Sequence, residues 1–162
     1  MVVMIMGVTG SGKTTVGELL AAKIQFKFVD ADGFHSPANI QKMSAGIPLT
    51  DADREPWLRS IHTAVAEWVS EERNVVLACS ALKKSYREEI YSAPPLKIVY
   101  LQGSFEFISA RLRERHGHFA DESILAGQFA DLEEPGKEAT SVDIDQTPDA
   151  IVGEIATKLG LA

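Results

Sequence analysis

One stretch restricts the fold more than any other: Gly7-Val8-Thr9-Gly10-Ser11-Gly12-Lys13-Thr14, which meets every fixed position of the phosphate-binding pattern G-x-x-x-x-G-K-[ST]. An apolar run, Val2-Val3-Met4-Ile5-Met6, precedes it and is long enough for a buried strand. After it, Thr15 to Ile24 has the spacing of a helix, with Val16, Leu19, Leu20 and Ile24 on one face. The glycines let successive backbone N–H groups turn inward around phosphate oxygens, and the helix N-terminus adds partial positive charge. A chance match in a chain of this size has odds below about one in a hundred, before the flanking strand and helix are required. Phosphate contacts are therefore expected from Gly7, Val8, Thr9, Gly10, Ser11, Gly12, Lys13, Thr14 and Thr15. In this pattern Lys13 reaches the β- and γ-phosphates, and the Thr14 hydroxyl ligates Mg²⁺.

The 162 residues suit one domain with a proper core. A net charge of −7 argues against a general nucleic-acid binder, which usually carries a basic face, but leaves nucleotide binding untouched. The lone cysteine, Cys79, excludes an internal disulfide framework and suits a reducing compartment. No apolar run approaches the roughly 20 residues of a membrane span, and the N-terminus enters the first strand without a signal-peptide pattern. A cytoplasmic protein with no membrane partner is the expectation.

Strand and helix patterns alternate from end to end, as in a parallel α/β sheet. Phe26–Asp30, Asn74–Cys79, Leu96–Leu101 and Ala139–Ile144 read as further strands. Ser36-Pro37 and Thr147-Pro148 each pair a cap with a first-turn proline, opening helices toward Met43 and Leu159. Pro56 is read as the start of a longer helix with Trp57, Leu58, Ile61, Val65, Trp68 and Val69 in its apolar stripe. Helices are expected over Leu82–Tyr91, from Ser104 to near Gly117, and over Glu122–Phe129, with Pro94-Pro95 breaking the chain before the fourth strand.

In such sheets ligands sit beyond the carboxyl ends of the strands, so the residues just after each strand carry the candidates for chemistry. Asp30 and Asp32 close the second strand, and if the strand geometry persists they point the same way. One could orient an acceptor hydroxyl and take its proton, the other serve near Mg²⁺; the alternative is a turn-forming pair. Asp30-Ala31-Asp32-Gly33 also fits the D-x-x-G of GTPases, but no N-K-x-D guanine reader follows, and that reading fails. Arg54, in a polar loop, could hold a substrate carboxylate or pair with Asp51 or Asp53. Lys83 and Arg87, four apart, form either an anion-binding rim or a solvated helix face. Arg111, Arg113, Arg115, His116 and His118 crowd one segment, as in an arginine-bearing lid or a solvated basic face. Arg111 and Arg115 share a face and are the pair expected at phosphate. Cys79 is read as packing only, and Trp57 and Trp68 as core.

Several segments together resemble the gluconokinases. They are Gly7–Thr14 with Asp30-Ala31-Asp32, Phe34-His35-Ser36-Pro37-Ala38-Asn39-Ile40-Gln41-Lys42-Met43, and Gly46-Ile47-Pro48-Leu49-Thr50-Asp51-Ala52-Asp53-Arg54 with Pro56-Trp57-Leu58. Cys79-Ser80-Ala81-Leu82-Lys83-Lys84-Ser85-Tyr86-Arg87, Gly117-His118-Phe119 and Gln128–Pro135 continue the match. The resemblance implies ATP- and Mg²⁺-dependent phosphorylation of D-gluconate at its 6-hydroxyl. It further implies a three-layer kinase fold with a five-stranded parallel sheet, helices on both faces, a lid over about residues 111–130 and often a homodimer. By position, Asp32 would be the catalytic base, with Lys13 and a lid arginine, Arg115, neutralising the transferring group. Asp30 would assist the metal through water. His35, Arg54, Lys83, Arg87, His118 and Gln128 would surround the sugar acid, and Arg111 and Arg115 would serve the nucleotide. Gly33, Glu55, Ala120 and Gly127 depart from common choices in the family, Gly33 beside the proposed base. The rivals are a kinase of the same fold acting on shikimate or a nucleoside monophosphate, and a nucleotide-dependent switch without transfer.

Overall fold

The computed structural model describes residues 1–91, 96–116 and 119–161. Five strands form one parallel sheet in the order β2-β3-β1-β4-β5: β1 (Val2–Met6), β2 (Lys27–Asp30), β3 (Val75–Ala78), β4 (Leu96–Gln102) and β5 (Ala139–Asp143). All four pairings are parallel, with β1 held between β3 (Ile5 opposite Ala78) and β4 (Met6 opposite Tyr100). All five residues of β1 are buried, which is why its sequence is continuously apolar rather than alternating. Because successive side chains face opposite sides, Val2, Met4 and Met6 join one core and Val3 and Ile5 the other.

The first core is covered by α3 (Asp51–Ser70) and α4 (Lys84–Tyr91), through Trp57, Leu58, Ile61, Val65, Trp68, Tyr86 and Ile90. The second is covered by α1 (Lys13–Ile24), α5 (Phe105–His116), α6 (Phe119–Asp131) and α7 (Pro148–Leu159). The result is a helix–sheet–helix sandwich, as expected, with both tryptophans in the core. A fully buried aliphatic side chain such as Ile61 or Leu20 contributes about 1.5–3 kcal/mol. The short α2 (Pro37–Ser44) begins as expected, with Ser36 Oγ accepting from the Asn39 N–H.

α3 begins earlier than its sequence pattern predicts. The helix starts at Asp51, not Pro56, because Thr50 and Asp53 form a reciprocal capping box: Asp53 N–H donates to Thr50 Oγ1 at 3.1 Å and Thr50 N–H to Asp53 Oδ2 at 2.9 Å. Pro56 then lies inside the helix, where it lacks the N–H that would bond the Ala52 carbonyl. The consequence is functional, since Arg54 is helical and not in a loop. The expected break at Pro94-Pro95 and the helix end at Gly117 lie outside the described residues.

Candidate active site

A cleft of about 870 Å³ opens at the carboxyl ends of the strands, bounded by the Gly7–Thr14 loop, the segment after β2, the first turns of α3, the β3–α4 connection and α6. The loop leaves β1 at the sheet's centre, where the connection from β1 runs to β2 on one side and that from β3 crosses to β4 on the other. Gly12 (φ 100°) and Gly10 (φ 75°) adopt backbone that side-chain-bearing residues rarely take, and a Cβ on Gly10 would stand 2.8 Å from Leu112 Cδ2. Lys13, the first residue of α1, folds back so that Nζ donates to the Val8 carbonyl at 2.9 Å. Burial lowers its pKa, opposed by the charges of Asp32 and Asp30.

The two aspartates do not stand as alternate strand residues. The strand ends at Asp30, and Ala31–Phe34 form a 3-10 turn, so their expected common direction is replaced by a division of position. Asp30 caps the turn, its Oδ1 accepting from the Asp32 N–H at 2.9 Å, while Oδ2 accepts from Thr14 Oγ1 at 3.5 Å. A carboxylate is thereby set opposite the hydroxyl that closes the phosphate loop. Asp32 faces the cleft, and its pKa is raised by desolvation and by Asp30, against the pull of Lys13 and His35. A carboxylate of raised pKa beside a phosphate loop is suited to accept a proton. At Gly33 an added Cβ would meet nothing within 4 Å, so variation there projects into open space.

On the opposite wall a polar cluster joins α3 to the β3–α4 connection. Tyr86 hydroxyl and Lys83 Nζ (2.9 Å) both donate to Asp51 Oδ1, and Arg54 Nη1 donates to the Tyr86 oxygen at 3.0 Å. Arg54 also lies 3.9 Å from Asp51 and 3.8 Å from Asp131 of α6. Asp51 takes Arg54, as one alternative had it, whereas Asp53 takes Lys42 at 3.0 Å. Hydrogen bonds from Tyr86 and Lys83 hold Asp51 below the usual carboxylate range. Two cations thus face the cleft with carboxylates that a bound anion could replace. His35 lines the same cleft, stacked on Trp57 with ring centroids 4.4 Å apart.

Other predicted positions fall elsewhere. Arg87 is turned inward and only 3 % exposed; Nη1 donates to the carbonyls of Ala81 (2.9 Å) and Leu82 (3.0 Å), and Glu138 lies 3.9 Å from Nη2. It braces the turn that carries Lys83, where Ala81 has φ 44°, and does not line the cleft. The shared rim with Lys83 fails because the Arg87 side chain turns inward to the Ala81 and Leu82 carbonyls, although Lys83 caps α4 with its carbonyl accepting from the Arg87 N–H at 3.2 Å. Gln128 lies in the cleft wall, but its Oε1 accepts from the Thr9 N–H at 2.6 Å, which ties α6 to the phosphate loop. Arg115 lines the cleft, whereas Arg111 packs over the Phe107 ring and near Gly12. His118 lies outside the described residues. Cys79 is buried, its thiol pushed up to about 12 by that burial.

The sequence reading missed Tyr86, Asp131 and Asn39, and took Asp51 only as a surface partner of Arg54. Tyr86 stands three residues after Lys83, and Asn39 four after His35, spacings that place neighbours together only if a helix is assumed at those points. Nothing in the local sequence couples Asp131 to Arg54.

Among the described residues no helix is long and apolar enough to cross a membrane. A family model described as Shikimate kinase matches residues 9–158. The chain is 47% identical over 152 residues to a probable gluconokinase of Mus musculus, covering 83% of each. It is 42% identical over 154 residues to a gluconokinase of Gluconobacter oxydans, covering 93% of this chain and 86% of the relative. A solved gluconokinase structure from Sinorhizobium meliloti superposes with a TM-score of 0.87 at 41% identity, covering 98% of this chain and 90% of that one.

Proposed function

The chain carries a shikimate kinase family domain and belongs to the gluconokinase family, and from that premise we propose that it transfers the γ-phosphoryl group of ATP to the 6-hydroxyl of D-gluconate, giving 6-phospho-D-gluconate and ADP. The observation that carries this reading is a single cleft in which a phosphate loop, an aspartate of raised pKa and two clustered cations face one another.

The loop N–H groups and Lys13 hold the phosphates, and Arg115 adds charge at the transferring group. Thr14 and Asp30 suit Mg²⁺, which needs only one or two protein oxygens beside phosphate oxygens and water. When bound, the metal neutralises charge on the phosphates. Among the described residues no group of three His, Cys, Asp or Glu could hold a metal by itself, in keeping with a site completed by the nucleotide. Arg54 and Lys83 receive the gluconate carboxylate, which orients the far hydroxyl toward the nucleotide. Asp32 takes the proton of that hydroxyl as its oxygen bonds to the γ-phosphorus and the bond to ADP breaks.

The deciding assay follows ADP release with Mg²⁺ and ATP, in the presence of D-gluconate, its epimers, shikimate or AMP. Stimulation by gluconate is the expected result. Stimulation by shikimate or AMP instead would keep the nucleotide chemistry and overturn the acceptor, and release independent of any acceptor would indicate a switch.

A further inference from the structure

His35 and Asn39 meet above the junction of α2 and α3. Asn39 is only 5 % exposed, and its Nδ2 donates to the Asp53 carbonyl at 2.9 Å. A carbonyl oxygen can only accept, so this bond decides which end of the amide is nitrogen. The same Nδ2 stands 3.3 Å from His35 Nδ1 and presents its second hydrogen there. A hydrogen on Nδ1 would set two donors against each other, so Nδ1 accepts and the ring's proton sits on Nε2.

The contact also opposes the imidazolium, which carries hydrogen on both nitrogens. Burial lowers the His35 pKa in the same direction and Arg54 adds to it, against the attraction of Asp32. The ring plane is set as well: His35 lies parallel to Trp57 within 8°, and Trp57 Nε1 is anchored on the Ala31 carbonyl at 2.8 Å. The plane of the ring is thus set by Trp57 in the cleft wall, and the position of its proton by Asn39, which does not line the cleft.

We propose that Asn39 is a positioning residue that holds His35 as the neutral Nε2–H tautomer, so that His35 donates a hydrogen bond to an oxygen of the sugar acid and accepts no proton from it. The identity of the acceptor rests on the gluconokinase reading; the tautomer does not. A polyhydroxylated carboxylate offers many lone pairs, and a pocket that fixes its orientation needs donors whose polarity cannot invert. Proton acceptance is left to Asp32.

The test is ¹⁵N NMR of histidine-labelled protein, with the His35 signals assigned through His35→Gln among the chain's four histidines. The expected wild-type spectrum shows an unprotonated Nδ1 and a protonated Nε2 at neutral pH. A protonated Nδ1, or the averaged tautomers of a free imidazole, would overturn the proposal without any other variant. Asn39→Asp places a carboxylate against Nδ1 and favours the imidazolium, so the variant is read at a pH where its spectrum shows a single ring proton, which should then sit on Nδ1. That variant should raise the KM for gluconate about tenfold, with the KM for ATP within about twofold. A relocated proton with unchanged gluconate KM would overturn the donor role. Should no sugar acid stimulate ADP release, the acceptor reading fails while the spectrum still decides the tautomer.

Discussion

The two ends of the cleft are built by different means. The phosphate end is contiguous in sequence: residues 7–14 supply a loop, its backbone donors and the lysine, and β1 and α1 fix it from either side. The acceptor end takes Asp32 and His35 from the turn after β2, Arg54 from α3, Lys83 and Tyr86 from the β3–α4 region, and Asp131 from α6. Backbone N–H groups recognise any phosphate, so the first end can be shared across many kinases. Side chains gathered from four segments can be varied one at a time, and on the proposed function the second end is where the acceptor is chosen.

Substitutions at each end should therefore separate cleanly. The largest effect is expected for Asp32→Asn, a loss of about 10²–10⁴ in kcat with ATP affinity nearly intact. Asp32 must be ionised to accept a proton, so wild-type activity should fall as pH drops through its raised pKa, above the usual carboxylate range. The variant should lack that acidic limb in a pH–rate profile, and an equally active variant would end the assignment.

Lys13→Ala should lower kcat about 10²–10³-fold and weaken ATP binding, leaving the KM for gluconate little changed. Steady-state kinetics with each substrate varied would show it, and unaltered ATP affinity and rate would contradict the role of Lys13. Arg54→Ala should raise the KM for gluconate about ten- to a hundredfold, in line with the loss of one charge-assisted contact. An equal rise in the KM for ATP would erase the distinction between the two ends.

The smallest effect on catalysis is expected at Arg87, which belongs to neither end. Arg87→Ala removes a guanidinium buried against two carbonyls, and about 2–3 kcal/mol of stability should go with it. Thermal or denaturant unfolding measures the loss. A stable variant with a raised gluconate KM would return Arg87 to the pocket.

The sequence reading located the five strands and the phosphate loop because both are carried by local pattern: apolar runs buried on two faces, and glycines where the backbone must turn. It placed the start of α3 at Pro56, since proline is a strong first-turn signal, and overlooked the Thr50–Asp53 capping box that begins the helix one turn earlier. That shift carries Arg54 onto a helix, within reach of Tyr86. It also paired Lys83 with Arg87 by spacing, which holds along the backbone but does not show that the Arg87 guanidinium turns inward.

By itself, then, the sequence determined that this chain carries a phosphate-loop motif at the end of a central strand in a parallel sheet, because the residues concerned are neighbours along the chain. Family resemblance pointed to the acceptor. Tertiary structure alone decided how polar side chains are arranged at the cleft: Asp51 on Lys83 in its wall, Tyr86 bonded to Asp51 and Arg54 without lining it, Asn39 behind His35, Gln128 on the Thr9 N–H, and Arg87 away from it all. The reason is physical. A side chain's partner across a cleft depends on helix starts and packing directions, and the earlier start at Thr50 sets the directions of Asp51 and Arg54, which lie before Pro56.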